Sequence, residues 1–181
     1  MKRLSKGSDK QEKNSGEKSI RLILDSNEYI FGLNRKSGAK DSIDLISMLP
    51  EMISSIPDFS LFVPEIIRDE VERNLPDNLA KDFYRLISSS HKIIFGPLYT
   101  VSRELFEKYC SKEGLKTGDA LIAAFAESCQ ADILVSDNRD IYEKLQVDAF
   151  LTMTAKQFLS TYYKGTIWQE IHKLRQRELS R

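Results

Sequence analysis

Five short apolar runs punctuate this chain, at residues 20–24, 60–63, 92–95, 133–135 and 149–151, and a stretch of helix length separates each from the next. Runs this short, bounded by turn residues, read as strands, whereas the intervals carry apolar residues at helical spacing. A parallel connection needs a crossover of about a dozen residues or more. The alternation therefore predicts an α/β fold, three layers deep, with helices covering both faces of a central, mostly parallel sheet. In such sheets functional groups collect beyond the carboxyl ends of the strands. The polar residues that follow each run are accordingly the first candidates for chemistry.

Spacing places helices over residues 42–56, through Ile43, Ile46, Leu49 and Ile53, and over residues 78–89, through Leu79, Phe83, Leu86 and Ile87. Pro50 is expected to kink or split the first of these. Pro64 opens a helix that reaches Leu75 and is stopped by Pro76. Further helices are expected over 100–111, from Asp119 to about Cys129, from Asp137 to Leu145, and over 154–163. Residues 1–19, rich in Lys, Ser and Gly without periodicity, read as a disordered basic tail. Residues 20–163 form the domain, and 164–181 a basic amphipathic helix with Ile167, Ile171 and Leu174 at i, i+4, i+7. The apolar side of that helix must be covered. A homodimer interface, with the arginines turned to the cleft, is one expectation, and packing on its own sheet is the other.

Hydrophobic residues at 41% and charged residues at 30% are the balance of a globular domain that keeps its surface in water. No apolar run reaches the ~18 residues of a membrane span, and the first residues lack the apolar centre of a signal peptide. Cys110 and Cys129 show no metal-ligand spacing. A cytoplasmic protein with reduced thiols and no membrane association is the expectation. The formal net charge is zero, yet residues 1–20 and 164–181 each carry +3, leaving about −6 on the body. An acidic body with basic ends suits a metal-binding cleft with a polyanion nearby; ordinary solubilising tails would give the same totals.

Four groups of polar residues follow the strands or open the helices after them. Asp25 ends the first run, with Asn27 placed to orient it, although Asp25 or Ser26 would equally cap a helix. Glu70 lies beside the stripe Ile66, Ile67, Val71, Leu75 and can point into a cleft; a solvated face with Glu–Arg pairs is the plainer reading. Asp119 stands in the first turn of an Ala-rich, nearly buried helix, where the helix dipole favours an acid in any case. Ser136, Asp137, Asn138 and Asp140 crowd the end of the fourth strand, as a metal shell or as a Ser-Asp-Asn turn. Oxygen ligands without His or Cys suit Mg²⁺ or Mn²⁺. Such an ion removes the repulsion that raises the pKa of crowded carboxylates, and it promotes phosphodiester hydrolysis.

Taken together the blocks Ile23-Leu24-Asp25-Ser26-Asn27, Ile66-Ile67-Arg68-Asp69-Glu70-Val71, Gly118-Asp119-Ala120-Leu121-Ile122-Ala123-Ala124 and Leu134-Val135-Ser136-Asp137-Asn138-Arg139-Asp140 resemble the PIN-domain nucleases, over about residues 20–160. The closing segment from Leu151 to Leu159 is similar to that family's last strand and helix. The resemblance implies a divalent-metal-dependent endoribonuclease, with RNA as substrate and, if it is a toxin of the toxin–antitoxin kind, an antitoxin protein as partner. It assigns catalysis to Asp25, Glu70, Asp119 and Asn138, metal binding to Asp25, Glu70, Asp119 and Asp140, and support to Asn27, Ser136 and Asp137. One departure is the neutral Asn138 at the fourth acid position, with Asp137 or Asp140 left to supply charge. A scaffold that binds RNA or a protein without cutting is the alternative. A phosphatase-like domain with Asp25 as phosphoacceptor fits poorly, because Asn27 stands where such enzymes carry a second Asp.

Overall fold

The computed structural model describes residues 19–97, 100–145 and 147–179. Its strands are β1 (Ser19–Leu24), β2 (Asp58–Pro64), β3 (Ile93–Gly96), β4 (Ile133–Val135) and β5 (Leu151–Met153). Its helices are α1 (Ser26–Leu33), α2 (Lys40–Ser55), α3 (Glu65–Asn74), α4 (Asp77–Ile87), α5 (Arg103–Glu107), α6 (Thr117–Ser128), α7 (Arg139–Tyr142), α8 (Ala155–Tyr163) and α9 (Ile167–Leu179). The strands form one sheet in the order β3-β2-β1-β4-β5, and every neighbouring pair is parallel. The expected three-layer α/β/α arrangement is therefore present, and the sheet is wholly parallel.

The strand sequences explain that pairing. β4 is buried along its whole length, and so is the second half of β1. A strand covered on both faces has no polar side to turn outward, so it reads as a continuous apolar run. With right-handed crossovers, the chain steps from β1 to β2 to β3 through helices on one face, then returns to β4 and β5 through helices on the other. The contacts agree: α1, α2, α3 and α4 pack among themselves, while α5 packs on α6. The strand order reverses between β2 and β4, on either side of β1, and the carboxyl end of β1 faces the crevice this creates.

Several element boundaries differ from expectation for identifiable reasons. α2 runs through Pro50 unbroken, because Leu45, Ile46, Leu49, Met52 and Ile53 are buried on both sides of the proline and hold the two halves to one core. The segment 100–111 is α5 followed by a π-helical turn at Lys108–Lys112. Within that turn Tyr109 is fully buried and donates to Glu127 at 2.5 Å. β5 starts two residues late: Leu151 pairs with Ile133, whereas Phe150 is buried and stacks on Tyr109 with ring centroids 6.4 Å apart. The helix expected over Asp137 to Leu145 is only α7. Ser19, assigned to the basic tail, begins β1; the rest of that tail lies outside the described residues.

The C-terminal helix packs on its own chain, and its Arg175 does not take the expected place at the cleft. Ile167, Ile171 and Leu174 of α9 are buried within the chain itself, and no second copy is needed to cover them. Arg175 grips the fully buried Asp132 through two bonds of 2.9 Å and also reaches the Ser19 carbonyl at 3.3 Å. Asp132 precedes β4 and Ser19 begins β1, so this contact lies at the amino ends of the strands. Arg175 consequently faces away from the crevice beyond Asp25, not into it. Cys110 and Cys129 are free thiols, and no helix among the described residues is long and apolar enough to cross a membrane.

Candidate active site

Asp25 is positioned by the central strand. Its backbone N–H donates to the Val135 carbonyl at 2.9 Å, continuing the β1–β4 ladder by one residue. The side chain then caps α1: Oδ1 accepts from Ser26 N at 2.7 Å, and Oδ2 accepts from the Ser136 hydroxyl at 2.7 Å. The residue is almost fully buried. Burial, followed by the charges of Asp119 and Glu70, pushes its carboxyl up to about 6, and the two serine hydrogen bonds only partly offset this. Capping and site formation are thus the same geometry. Asn27, expected to orient Asp25, instead lines the pocket beside it, while Ser26 and Ser136 make the hydrogen bonds.

Glu70 and Asp119 arrive from the two sides of β1. A Cβ at Gly118 would lie 3.2 Å from Glu70 Oε1, so the absence of a side chain there lets α3 and α6 bring these acids together. Asp119 accepts from Asn138 Nδ2 at 3.1 Å. Its carboxyl is raised by burial first and by Asp140 second. Asp25, Glu70 and Asp119 line one open pocket of about 360 Å³ together with Ser26, Asn27, Ile30, Phe31, Arg73 and Asn74.

The remaining predicted residues divide in two. Ser136 and Asn138 serve the pocket: Ser136 holds Asp25, its oxygen accepts from Asn138 N at 3.1 Å, and Asn138 holds Asp119 while capping α7. Asp137 points elsewhere, accepting from Ala155 N at 2.9 Å at the start of α8. Asp140 pairs with Lys144 at 2.6 Å and Lys116 at 3.6 Å, and Lys144 above all holds its carboxyl below the usual range. Here Asp140 carries two ammonium groups to the edge of the acids rather than adding a fourth free carboxylate.

Glu28 was not among the sequence candidates. It is fully buried, and its Oε1 accepts from Asp137 N at 2.9 Å. Burial, then the charge of Asp137, pushes its carboxyl up to about 7. An acid three residues after a helix cap is the pattern of a capping box, in which Glu28 would reach back to Asp25 N. That N–H is already taken by Val135, so Glu28 instead fastens the turn between Ser136 and Asn138. The capping-box spacing was the available signal.

The arrangement offers oxygen donors of the kind that suit Mg²⁺ or Mn²⁺. Among the described residues no three acidic, His or Cys side chains already stand as a ready cluster for a metal ion. The three carboxylates nevertheless share one pocket, where, on top of burial, the charges of Asp119 and Glu70 raise the carboxyl of Asp25 and that of Glu70 raises Asp119, the electrostatic condition a divalent cation relieves. In comparisons with known proteins, no family model and no curated sequence matches the chain.

Proposed function

We propose that the protein is a divalent-metal-dependent endoribonuclease of the PIN-domain kind, acting on single-stranded RNA. One observation carries this reading: Asp25, Glu70 and Asp119, from three elements far apart in sequence, line a single open pocket at the carboxyl end of the sheet. Asp25, Glu70 and Asp119 are the residues that would hold a divalent cation, closing on it from around the pocket. When bound, the cation supplies Lewis acidity and neutralises charge at a phosphodiester.

The residues around the acids set the conditions for that chemistry. Ser136 and Ser26 fix the Asp25 carboxylate. Asn138 fixes Asp119 without adding a negative charge that would repel a phosphate. Arg73 on one side, and Lys116 and Lys144 on the other, place cations near an acidic pocket that must admit a polyanion. The neutral Asn138 and the lysine-paired Asp140 also favour a second reading, a scaffold of the same form that binds RNA without cutting it.

Cleavage assays on labelled single-stranded RNA separate the two. The nuclease reading expects cutting that requires Mg²⁺ or Mn²⁺, stops on chelation, and is lost in a folded Asp25→Asn variant. Binding without cutting under either ion would establish the scaffold, and activity that survives both chelation and Asp25→Asn would refute the site.

A further inference from the structure

The pocket does not end at its acids. α1 contributes Asn27, Ile30 and Phe31, and α3 contributes Glu70, Arg73 and Asn74. Each set has i, i+3, i+4 spacing, so each lies on one face of its helix. The pocket is therefore a short groove between two helices, with a strong gradient of character. Asp25 and Asp119 stand at one end. Ile30 and Phe31, half-buried, form an apolar wall at the other. From Asp25 to Phe31 the six-residue helical rise is roughly 9 Å, the scale of one nucleotide.

The polar groups of this groove are available to a ligand. Arg73 commits Nε to the Asp69 carbonyl at 2.9 Å, and its two terminal nitrogens make no ion pair among the described residues. Asn74 commits Nδ2 to the Glu70 carbonyl at 2.7 Å, which leaves its side-chain oxygen to accept from an N–H of a base. Lys36 Nζ lies over the Phe31 ring, 4.0 Å from its centroid, and Lys36 is exposed, so a base stacking on that face displaces a solvent-facing side chain and not a packed one. An aromatic ring, a cation and an amide beside an acidic centre match the base, phosphate and base edge of an unpaired nucleotide.

Building on the nuclease reading, we propose that the groove between α1 and α3 is the subsite for one unpaired nucleobase next to the scissile phosphate. Phe31 is its stacking surface and Arg73 its phosphate contact. A base paired in a duplex is already stacked and cannot enter, so the groove selects single strands.

The test uses the full chain carrying Asp25→Asn, so that RNA is bound and not consumed, with a fluorescent single-stranded oligoribonucleotide as probe. Adding Phe31→Ala should weaken binding about 5- to 150-fold, the range for loss of one base–aromatic stack. Phe31→Trp should retain binding, and the weak affinity for a blunt RNA duplex should not change. An abasic nucleotide moved along the probe should, at one position, reduce binding to the parent by the same factor and have no further effect on Phe31→Ala. If Phe31→Ala does not fold, Phe31→Leu keeps the apolar contact, removes the ring, and carries the same expectation. Unchanged affinity in these variants, or abasic and Phe31 losses that simply add, would overturn the subsite. RNA cleavage by the wild type alongside an indifferent Phe31 would refute the subsite alone. A protein that neither cuts nor binds RNA would refute the nuclease reading and this inference with it.

Discussion

In metal-free buffer, replacing Asp25 by Asn should make the protein more stable, not less. Asp25 has its carboxyl raised from 3.8 to about 6, by burial first and by Asp119 and Glu70 after it. Between those two values the folded chain holds a proton that the unfolded chain has released. Stability therefore falls as pH rises through that window, and the whole cost is present above it. About two pKa units at 1.36 kcal/mol each give a cost of about 3 kcal/mol at pH 7 and above. Asn carries no charge at any pH and is itself a good helix cap. It can accept from Ser26 N through its oxygen and donate to the Ser136 hydroxyl through its nitrogen. The gain should be about 1–3 kcal/mol at pH 8, a rise in Tm of roughly 3–10 °C for a domain of this size, and should vanish near pH 4. Thermal unfolding in chelator from pH 4 to pH 8 measures it, and repeating the series with Mg²⁺ should raise the Tm of the wild type more than that of the variant. A variant less stable than wild type at pH 8, or a gain that does not change with pH, would refute the account of Asp25 as a buried, mutually repelled acid.

Three further substitutions probe the supports. Glu28→Gln should keep the bond to Asp137 N and at least wild-type stability at pH 8, because the carboxyl it replaces is pushed up to about 7; Glu28→Ala should lose about 1–3 kcal/mol in urea unfolding and cleave more slowly at unchanged RNA affinity. Gly118→Ala sets a methyl 3.2 Å from Glu70 Oε1, and should raise the Mg²⁺ concentration needed for half-maximal cleavage several-fold with little change in Tm. Arg175→Ala leaves Asp132 buried with only the partly exposed Arg21 beside it, and should cost about 2–4 kcal/mol by thermal unfolding while the cleavage rate per folded molecule stays the same.

The acids were legible in the sequence because their signals are local. An apolar run that stops at Asp25 declares both a buried strand and the carboxylate at its end, and an Ala-rich stretch behind Asp119 declares a buried helix with an acid in its first turn. The alternation of short apolar runs with helix-length intervals likewise made the parallel sheet readable. Partnerships across the sheet were not. Nothing near Asp140 in the chain announces Lys116, and nothing near Glu28 announces that the N–H it would have capped is already bonded to Val135. The same limit applies to α9. Its amphipathic pattern states that Ile167, Ile171 and Leu174 must be covered, but the choice between self and partner depends on where Asp132 lies in three dimensions.

Among the described strands β1 comes first in the chain and is the central one in the sheet, yet both of its neighbours follow it. Its upper end needs Ser136 and Asn138 before Asp25 and Asp119 are held. Its lower end gains the two-bond grip of Arg175 on Asp132, added to the partly exposed Arg21, only once α9 is made. As the chain leaves the ribosome, a nascent fragment short of residue 138 lacks the hydrogen bonds that hold Asp25 and Asp119, and one short of residue 175 leaves the buried Asp132 with only the partly exposed Arg21 beside it. The topology thus delays assembly of the acid pocket until most of the domain has been made.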